Sequence, residues 1–346
     1  MALAGQGKTK AMVAQTAIAT TCNQSMAAIC PDRSTNARYL YWLLVSQYGD
    51  IRNMAGGEQR DGLNLDILGS IPTLKIPDVE QRAIADFLDR ETARLDTLVG
   101  KKRTLIEKVK EKRTALISRT VTRGLNPNVK LKSSGIEWLG DIPAHWEAAQ
   151  LRRMAIILDC KHKTVSFVDD GLPIASIREV HAFEVDLSEA KKTTEEEYLE
   201  MIEGERDPRV GDIIYSRNAT VGEAAQVTTK DRFCLGQDVC LIRAPKHHSR
   251  YLLYLFRSAP LLEQVDSLMV GSTFRRINVG QIKAFWISVP PPPEQRAIAD
   301  YLDCETAKID KMIEKVEAAI EKLQEYRTAL ITAAVTGKID VRAVDR

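Results

Sequence analysis

The sequence is poor in the residues that make secreted, membrane or metal-dependent proteins. Its six cysteines (Cys22, Cys30, Cys160, Cys234, Cys240, Cys304) form no C-x-x-C pair, so neither a disulfide framework nor a zinc knuckle is expected. No apolar run approaches the ~18 residues of a membrane span. No secretory leader is recognisable, so a soluble, reduced, cytoplasmic chain with no membrane contact is expected. The five histidines are scattered; His247-His248 has no Cys or His neighbour at ligand spacing, and no Ser/His/Asp order can be distinguished. Gly5-Gln6-Gly7-Lys8-Thr9 resembles a phosphate loop, but G-x-x-x-x-G-K-T needs a glycine where Ala2 stands. No metal, no cofactor and no catalytic residues are therefore expected, and the chain reads as a non-enzyme. Net charge is slight, +2 over 346 residues. That total neither demands nor excludes nucleic acid, because a local field is what binds phosphate.

What the sequence does contain is a helix written twice. Glu80-Gln81-Arg82-Ala83-Ile84-Ala85-Asp86 returns letter for letter at Glu294 to Asp300, and Arg113-Thr114-Ala115-Leu116-Ile117 returns as Arg327 to Ile331, both at an offset of 214. Roughly half the positions from Glu80 to Leu125 are repeated without a gap, which marks an internal duplication. Neither copy contains a proline, and both carry a heptad stripe. The first reads Leu88, Leu95, Val109 and Leu116 with Ile84, Leu98 and Leu105; the second reads Leu302, Ile309, Val316, Leu323 and Leu330 with Ile298 and Met312. Lys102 and Lys112 interrupt the first stripe. The first copy carries net charge +5 and the second −2, so the two can attract each other. Two antiparallel helices forming a coiled-coil spacer are expected.

The repeat extends to a globular part. Arg38 to Leu44 reads as a buried helix and Ile71 to Pro77 as an extended strand; Arg250 to Phe256 and Phe285 to Pro290 repeat them. Proline before each long helix and glycine after it (Gly124, Gly337) mark the helix limits. Between them, short strands such as Pro173 to Ile177 and Gly211 to Ser216 alternate with helices near Glu195 to Ile202 and Ser249 to Phe256, which is α+β. The expected division is 1–76, a first globular domain; 77–124, the first spacer helix; and 125–134, a linker. Then come 135–290, a second globular domain; 291–337, the second spacer helix; and 338–346, a tail. By the offset, residue 1 corresponds to about residue 215, so the first domain is expected to lack its front half.

The second globular domain offers polar, basic loops: Lys161-His162-Lys163, Tyr215-Ser216-Arg217-Asn218, Gly236-Gln237, and Gly271 to Asn278. Arg forks onto guanine and phosphate, Asn and Gln onto adenine, and glycine lets a backbone approach a duplex. Arg275, Arg276, Asn278, Arg217 and Asn218 are expected to contact DNA, with Gln237, and with Lys161 and Lys163 on phosphates.

Together the paired Pro-x-x-Glu-Gln-Arg-x-Ile-Ala entries (Pro77 to Ala85, Pro291 to Ala299), the endings Arg-Thr-Ala-Leu-Ile, the opening Ser134 to Trp146 and the close Ala334 to Arg342 resemble the specificity subunit of type I restriction-modification enzymes. The resemblance covers nearly the whole chain. It implies two target-recognition domains, the first of them N-terminally truncated, each reading one half of a split double-stranded DNA site. It also implies docking of two methyltransferase (M) subunits, with restriction (R) subunits joining in the full complex, and no catalysis by this chain itself. Two other readings stay open: a coiled-coil scaffold or inactive remnant without DNA preference, and a nuclease or methyltransferase, which would turn over alone.

Overall fold

The computed structural model describes residues 1–4, 9–54, 62–181, 183–269 and 276–342, and the fold is α+β. Its two longest helices are Asp78–Arg123 and Pro292–Val335. The chain divides into two compact units whose limits fall inside these helices: Met1–Ile106 with Ile313–Arg346, and Glu107–Met312. Each unit therefore joins the front of one helix copy to the back of the other.

In the first unit, Tyr39, Trp42 and Leu43 of the helix Ala37–Ser46 are buried against Ile84, Ala85, Leu88 and Leu95 of the first long helix. Leu330, Ile331, Ala334 and Val335 of the second long helix close the same core. The helix segments run antiparallel, with Arg327 meeting Asp96 across them. The second unit repeats the plan with the helices exchanged. Tyr251, Leu252 and Leu255 of the helix Ser249–Phe256 share a core with Ile298, Ala299 and Leu302 from the second long helix and Ile117 and Val121 from the first.

The repeated glutamine explains why the two motifs agree. Gln81 is buried; its Oε1 accepts from the backbone of Asn36 at 2.7 Å and its Nε2 donates to the carbonyl of Ile76 at 2.8 Å. Gln295 does the same with His248 at 2.9 Å and Pro290 at 2.9 Å. One side chain thus ties the start of the short helix to the chain that enters the long one. A second repeated clasp lies beside it: Arg38 and Trp42 both donate to Asp89, as Arg250 and Tyr254 both donate to Asp303.

The second unit adds a mixed six-stranded sheet. Its strand order is Ile156–Asp159, Val239–Arg243, Ile213–Ser216, Ala224–Gln226, Glu184–Val185, Val180–His181. Strands Ile213–Ser216 and Val239–Arg243 are wholly buried and pair antiparallel, with Tyr215 opposite Cys240. A three-stranded sheet (Cys234–Leu235, Leu172–Ala175, Lys192–Thr193) lies beside it, and Trp286–Val289 pairs antiparallel with Glu147–Gln150.

Two expectations are corrected. The stripe on the long helices is displaced: Leu98, Leu105 and Met312 are exposed, whereas Thr92 and Ile106 are buried and Val99, Arg113, Ile313 and Ile320 are half-buried. The row beside Leu88 and Leu95 is thus the one four residues on, because side chains at i+3 and i+4 flank a seam on opposite sides and packing selects one flank. Ile71 to Pro77 is also not a strand. Its counterpart Trp286–Val289 has Glu147–Gln150 as partner, whereas among the described residues no strand pairs with Ile71 to Pro77. Unpaired backbone has no ladder to join.

The helix ends follow the sequence signals. Gly337 adopts φ +71, and the next amide, Lys338, donates to Ala333 at 2.9 Å, closing the end as a left-handed cap. Gly124 adopts φ +74, a left-handed conformation that favours glycine, and a Cβ there would sit close to the Trp146 ring, at 3.2 Å. All six cysteines are unpaired. Among the described residues, no helix is long and apolar enough to cross a membrane.

Candidate nucleic-acid interface

Three loops of the second unit meet at one end of the large sheet. The backbone does the joining: Arg217 N donates to Asp238 O at 2.8 Å, and Ile277 N donates to Arg217 O at 3.0 Å. Asn218 and Arg276 form an isolated antiparallel bridge. Gly236 lets one loop pass close to the neighbouring chain, since a Cβ there would sit 2.0 Å from Ser176 Oγ. Asp238 and Ala219 adopt left-handed φ of 63 and 55. Asp is among the residues that tolerate this region through local hydrogen bonding.

On this frame the polar side chains gather around two carboxylates. Asp238 takes Arg276 Nη2 on Oδ1 at 2.9 Å and Asn218 Nδ2 on Oδ2 at 3.1 Å. Asp159 takes Arg217 Nη2 on Oδ1 at 2.8 Å and His162 Nε2 on Oδ2 at 3.3 Å. Asp159, His162, Arg217, Arg276 and Asn278 line a concavity of about 420 Å³. Neither carboxylate was foreseen; Asp238 follows directly on the expected Gly236-Gln237 pair and could have been read with it.

The expected residues fall into distinct environments. Arg276 is half exposed and presents its fork outward from Asp238, and Asn218 is beside it. Arg217 is only 3% exposed and its guanidinium is committed to Asp159. Lys161 is paired with Glu203 and Lys163 with Glu200. These hydrogen bonds hold the Glu203 carboxyl below and the Lys163 ammonium above their ordinary values. Both pairs are open to solvent, where ion pairs are weak. Gln237 Nε2 donates to Thr164 Oγ1 at 3.2 Å. Asn278 caps the helix Val279–Lys283 in a capping box with Gln281, so its carboxamide oxygen is spent on the Gln281 amide at 2.9 Å. Arg275 lies outside the described residues.

Asp159, Cys160 and His162 place their ligand atoms within 4.8 Å of one another, the sole such grouping among the described residues. Asp159 is already bound by a guanidinium, and burial pushes the Cys160 thiol up, away from thiolate. The group is thus better described as the anchor of Arg217 than as a cation site.

The second unit thus carries a loop-borne set of Arg, Asn and Asp side chains on a duplicated α+β chain. Residues 179–322 match the family described as the type I restriction modification DNA specificity domain. Over that stretch the chain is similar to type I restriction-modification specificity subunits. It is 24% identical over 316 residues to the MjaVIII specificity subunit of Methanocaldococcus jannaschii, covering 88% of this chain and 70% of that one. A second relative from the same organism, the putative MjaX specificity subunit, is 24% identical over 266 residues, and the match spans 76% of this chain and 58% of the relative. Among solved structures, the fold matches a chain of a type I R-M system studied for complex assembly and conformational transition. That match has a TM-score of 0.68 at 16% identity over 87% of this chain and 71% of the other. It also matches the HsdS subunit of Thermoanaerobacter tengcongensis, with a TM-score of 0.52 at 17% identity over 88% and 71%.

Proposed function

We propose that the loop face around Arg276, Asn218 and Asp238 reads one half of a split DNA site. In this reading Arg276 forks onto a base edge in the major groove, Asn218 lies beside it, and Lys161 and Lys163 exchange their glutamates for phosphates. Gln237 belongs to the same proposed face, Arg217 stands behind it as a buried support, Asn278 keeps the loop in place, and Arg275 is proposed as a contact from its sequence alone. The observation that carries this is the convergence of three loops, otherwise far apart in sequence, onto a single pair of carboxylates.

The chain then acts without chemistry of its own. It brings methyltransferase subunits, and restriction subunits in the full complex, to the sequence it recognises, and methyl transfer and cleavage belong to those partners. The match of residues 179–322 to the DNA specificity domain and the likeness to the MjaVIII specificity subunit support this division.

The test is retention of a randomised duplex pool by the full chain co-expressed with its methyltransferase subunit, followed by sequencing. A motif with a defined half-site supports the reading. Arg276→Ala combined with Arg275→Ala should weaken binding and change base preference at one position, whereas Lys161→Ala with Lys163→Ala should weaken all sequences alike and flatten the salt dependence. Unchanged affinity and salt slope in both variants would remove this face from recognition, and enrichment of nothing by the unaltered protein would favour a scaffold.

A further inference from the structure

The duplication supplies an internal control that separates residues the fold needs from residues it does not. The backbone bond from Ile277 N to Arg217 O recurs in the first unit, 214 residues earlier, as Leu63 N to Leu3 O at 2.8 Å. The cap at Asn278 recurs as Asn64, whose Oδ1 accepts from Ile67 at 2.8 Å at the start of the helix Leu65–Gly69. The strand pairing recurs as well: Met1 and Ala27 exchange two hydrogen bonds as Tyr215 pairs with Cys240, and Leu3 N donates to Ser25 O at 2.9 Å as Arg217 N donates to Asp238 O at 2.8 Å.

The charged groups do not recur on that shared frame. Where the second unit has Arg217, Asn218, Asp238 and Arg276, the first has Leu3, Ala4, Ser25 and Gly62. The frame closes without a charge at any of these four positions, while the capping Asn is kept. A group that one copy of a fold omits and the other gathers within hydrogen-bond distance is not there for the fold.

Resting on the reading of this face as DNA-contacting, we propose that Asp238 is a specificity-determining positioning residue. Its two oxygens hold Arg276 and Asn218 side by side. The half-exposed guanidinium keeps further N–H donors for a purine edge, and the carboxylate fixes the plane in which they point. Without it, Arg276 is a long, mobile cation that still attracts phosphate but discriminates between bases poorly, since base reading depends on a fixed bidentate geometry.

The experiment compares the full chain carrying Asp238→Asn, Arg276→Gln, both together, or neither, each by duplex-pool selection and by thermal melting. Asn tolerates the left-handed backbone of position 238, so the variant keeps the loop. Arg276→Gln should relax one base position by about tenfold. Asp238→Asn should relax the same position, with total affinity nearly kept, and the double variant should be no worse at that position than Arg276→Gln alone. Relaxation by Arg276→Gln but not by Asp238→Asn overturns the role of Asp238 and leaves the DNA face standing. Uniform loss at every position with a lowered melting temperature makes Asp238 merely structural and also overturns it. A wild-type motif kept by both single variants, or no motif from the unaltered chain, removes the DNA face and the inference together.

Discussion

Arg327 and Asp96 face each other across the antiparallel helices of the first unit, Nε to Oδ1 at 3.0 Å and Nη2 to Oδ2 at 3.3 Å. In the second unit the pair recurs, with the helices exchanged, as Arg113 and Asp310 at 3.1 Å. Each arginine occupies the half-buried row of its helix, so the same residue of each repeat fixes the register against the other helix. The aspartates are about half exposed, which limits the value of each pair. Arg327→Ala and Arg113→Ala should each cost about 0.2–1 kcal/mol, and the two should add, because they lie in different units with no shared partner. Melting temperatures of the two single variants and the double variant check this, and the exchange Arg327→Asp with Asp96→Arg should recover most of the loss.

A larger cost is expected at the paired glutamines. Gln81 and Gln295 each satisfy one backbone amide and at least one backbone carbonyl where the short helix meets the start of the long one. Replacing either by alanine leaves both groups unpaired, at about 1–3 kcal/mol for each group stranded. Hydrogen exchange localises the effect: Gln81→Ala should speed exchange at the Asn36 amide, and Gln295→Ala at the His248 amide, each without effect on the other.

Much of this arrangement was legible in the sequence because duplication repeats constraints. The offset of 214, the terminal glycines and the limits of the helices Glu195–Ile202 and Ser249–Phe256 all follow from local signals. The seam was misplaced by one residue because Leu98 and Leu105 are as apolar as Val99 and Ile106; only the partner's position decides which row is covered. Ile71 to Pro77 has strand composition, but a strand needs a neighbour, and composition does not reveal one. The loop residues were identified by type, which is insufficient at this site: Arg217 and Arg276 look alike in sequence, yet one is buried on Asp159 and the other faces outward from Asp238. Asn278 was indistinguishable from a reading residue until its cap, repeated at Asn64, showed what its oxygen does.

Arg243 and Asp212 form an almost fully buried ion pair in the second unit. Nη2 meets Oδ2 at 2.7 Å, and the guanidinium also donates to the carbonyls of Glu205 and Asp207 at 3.1 and 2.7 Å. Asp212→Ala would leave an almost fully buried cation without its counter-charge, at about 3–5 kcal/mol. Arg243→Met with Asp212→Leu, which removes both charges and refills the volume, should cost much less. A melting temperature for the double variant above that of Asp212→Ala is the expected outcome; equal losses would mean that the carbonyl contacts, not the ion pair, matter.

Acid should weaken the second unit at a defined place. Burial pushes the pKa of His247 and of His248 below the ordinary histidine value. The geometry agrees for His247: Gln295 Oε1 is taken by the His248 amide, so its Nε2 must donate to His247 Nδ1, at 2.9 Å, and a proton there would set two donors against each other. Because the folded pKa lies below the unfolded one, near 6.5, the unfolded chain binds more protons as pH falls. The stabilisation is complete above pH ~6.5 and is lost progressively as pH drops from there through the folded values. Gln81, the counterpart in the first unit, donates to the carbonyls of Ser34 and Ile76 and meets no histidine, so it has no such dependence. Hydrogen exchange as a function of pH should therefore show the His248 amide losing protection below pH ~6.5 while the Asn36 amide does not, and His247→Leu should flatten most of that difference.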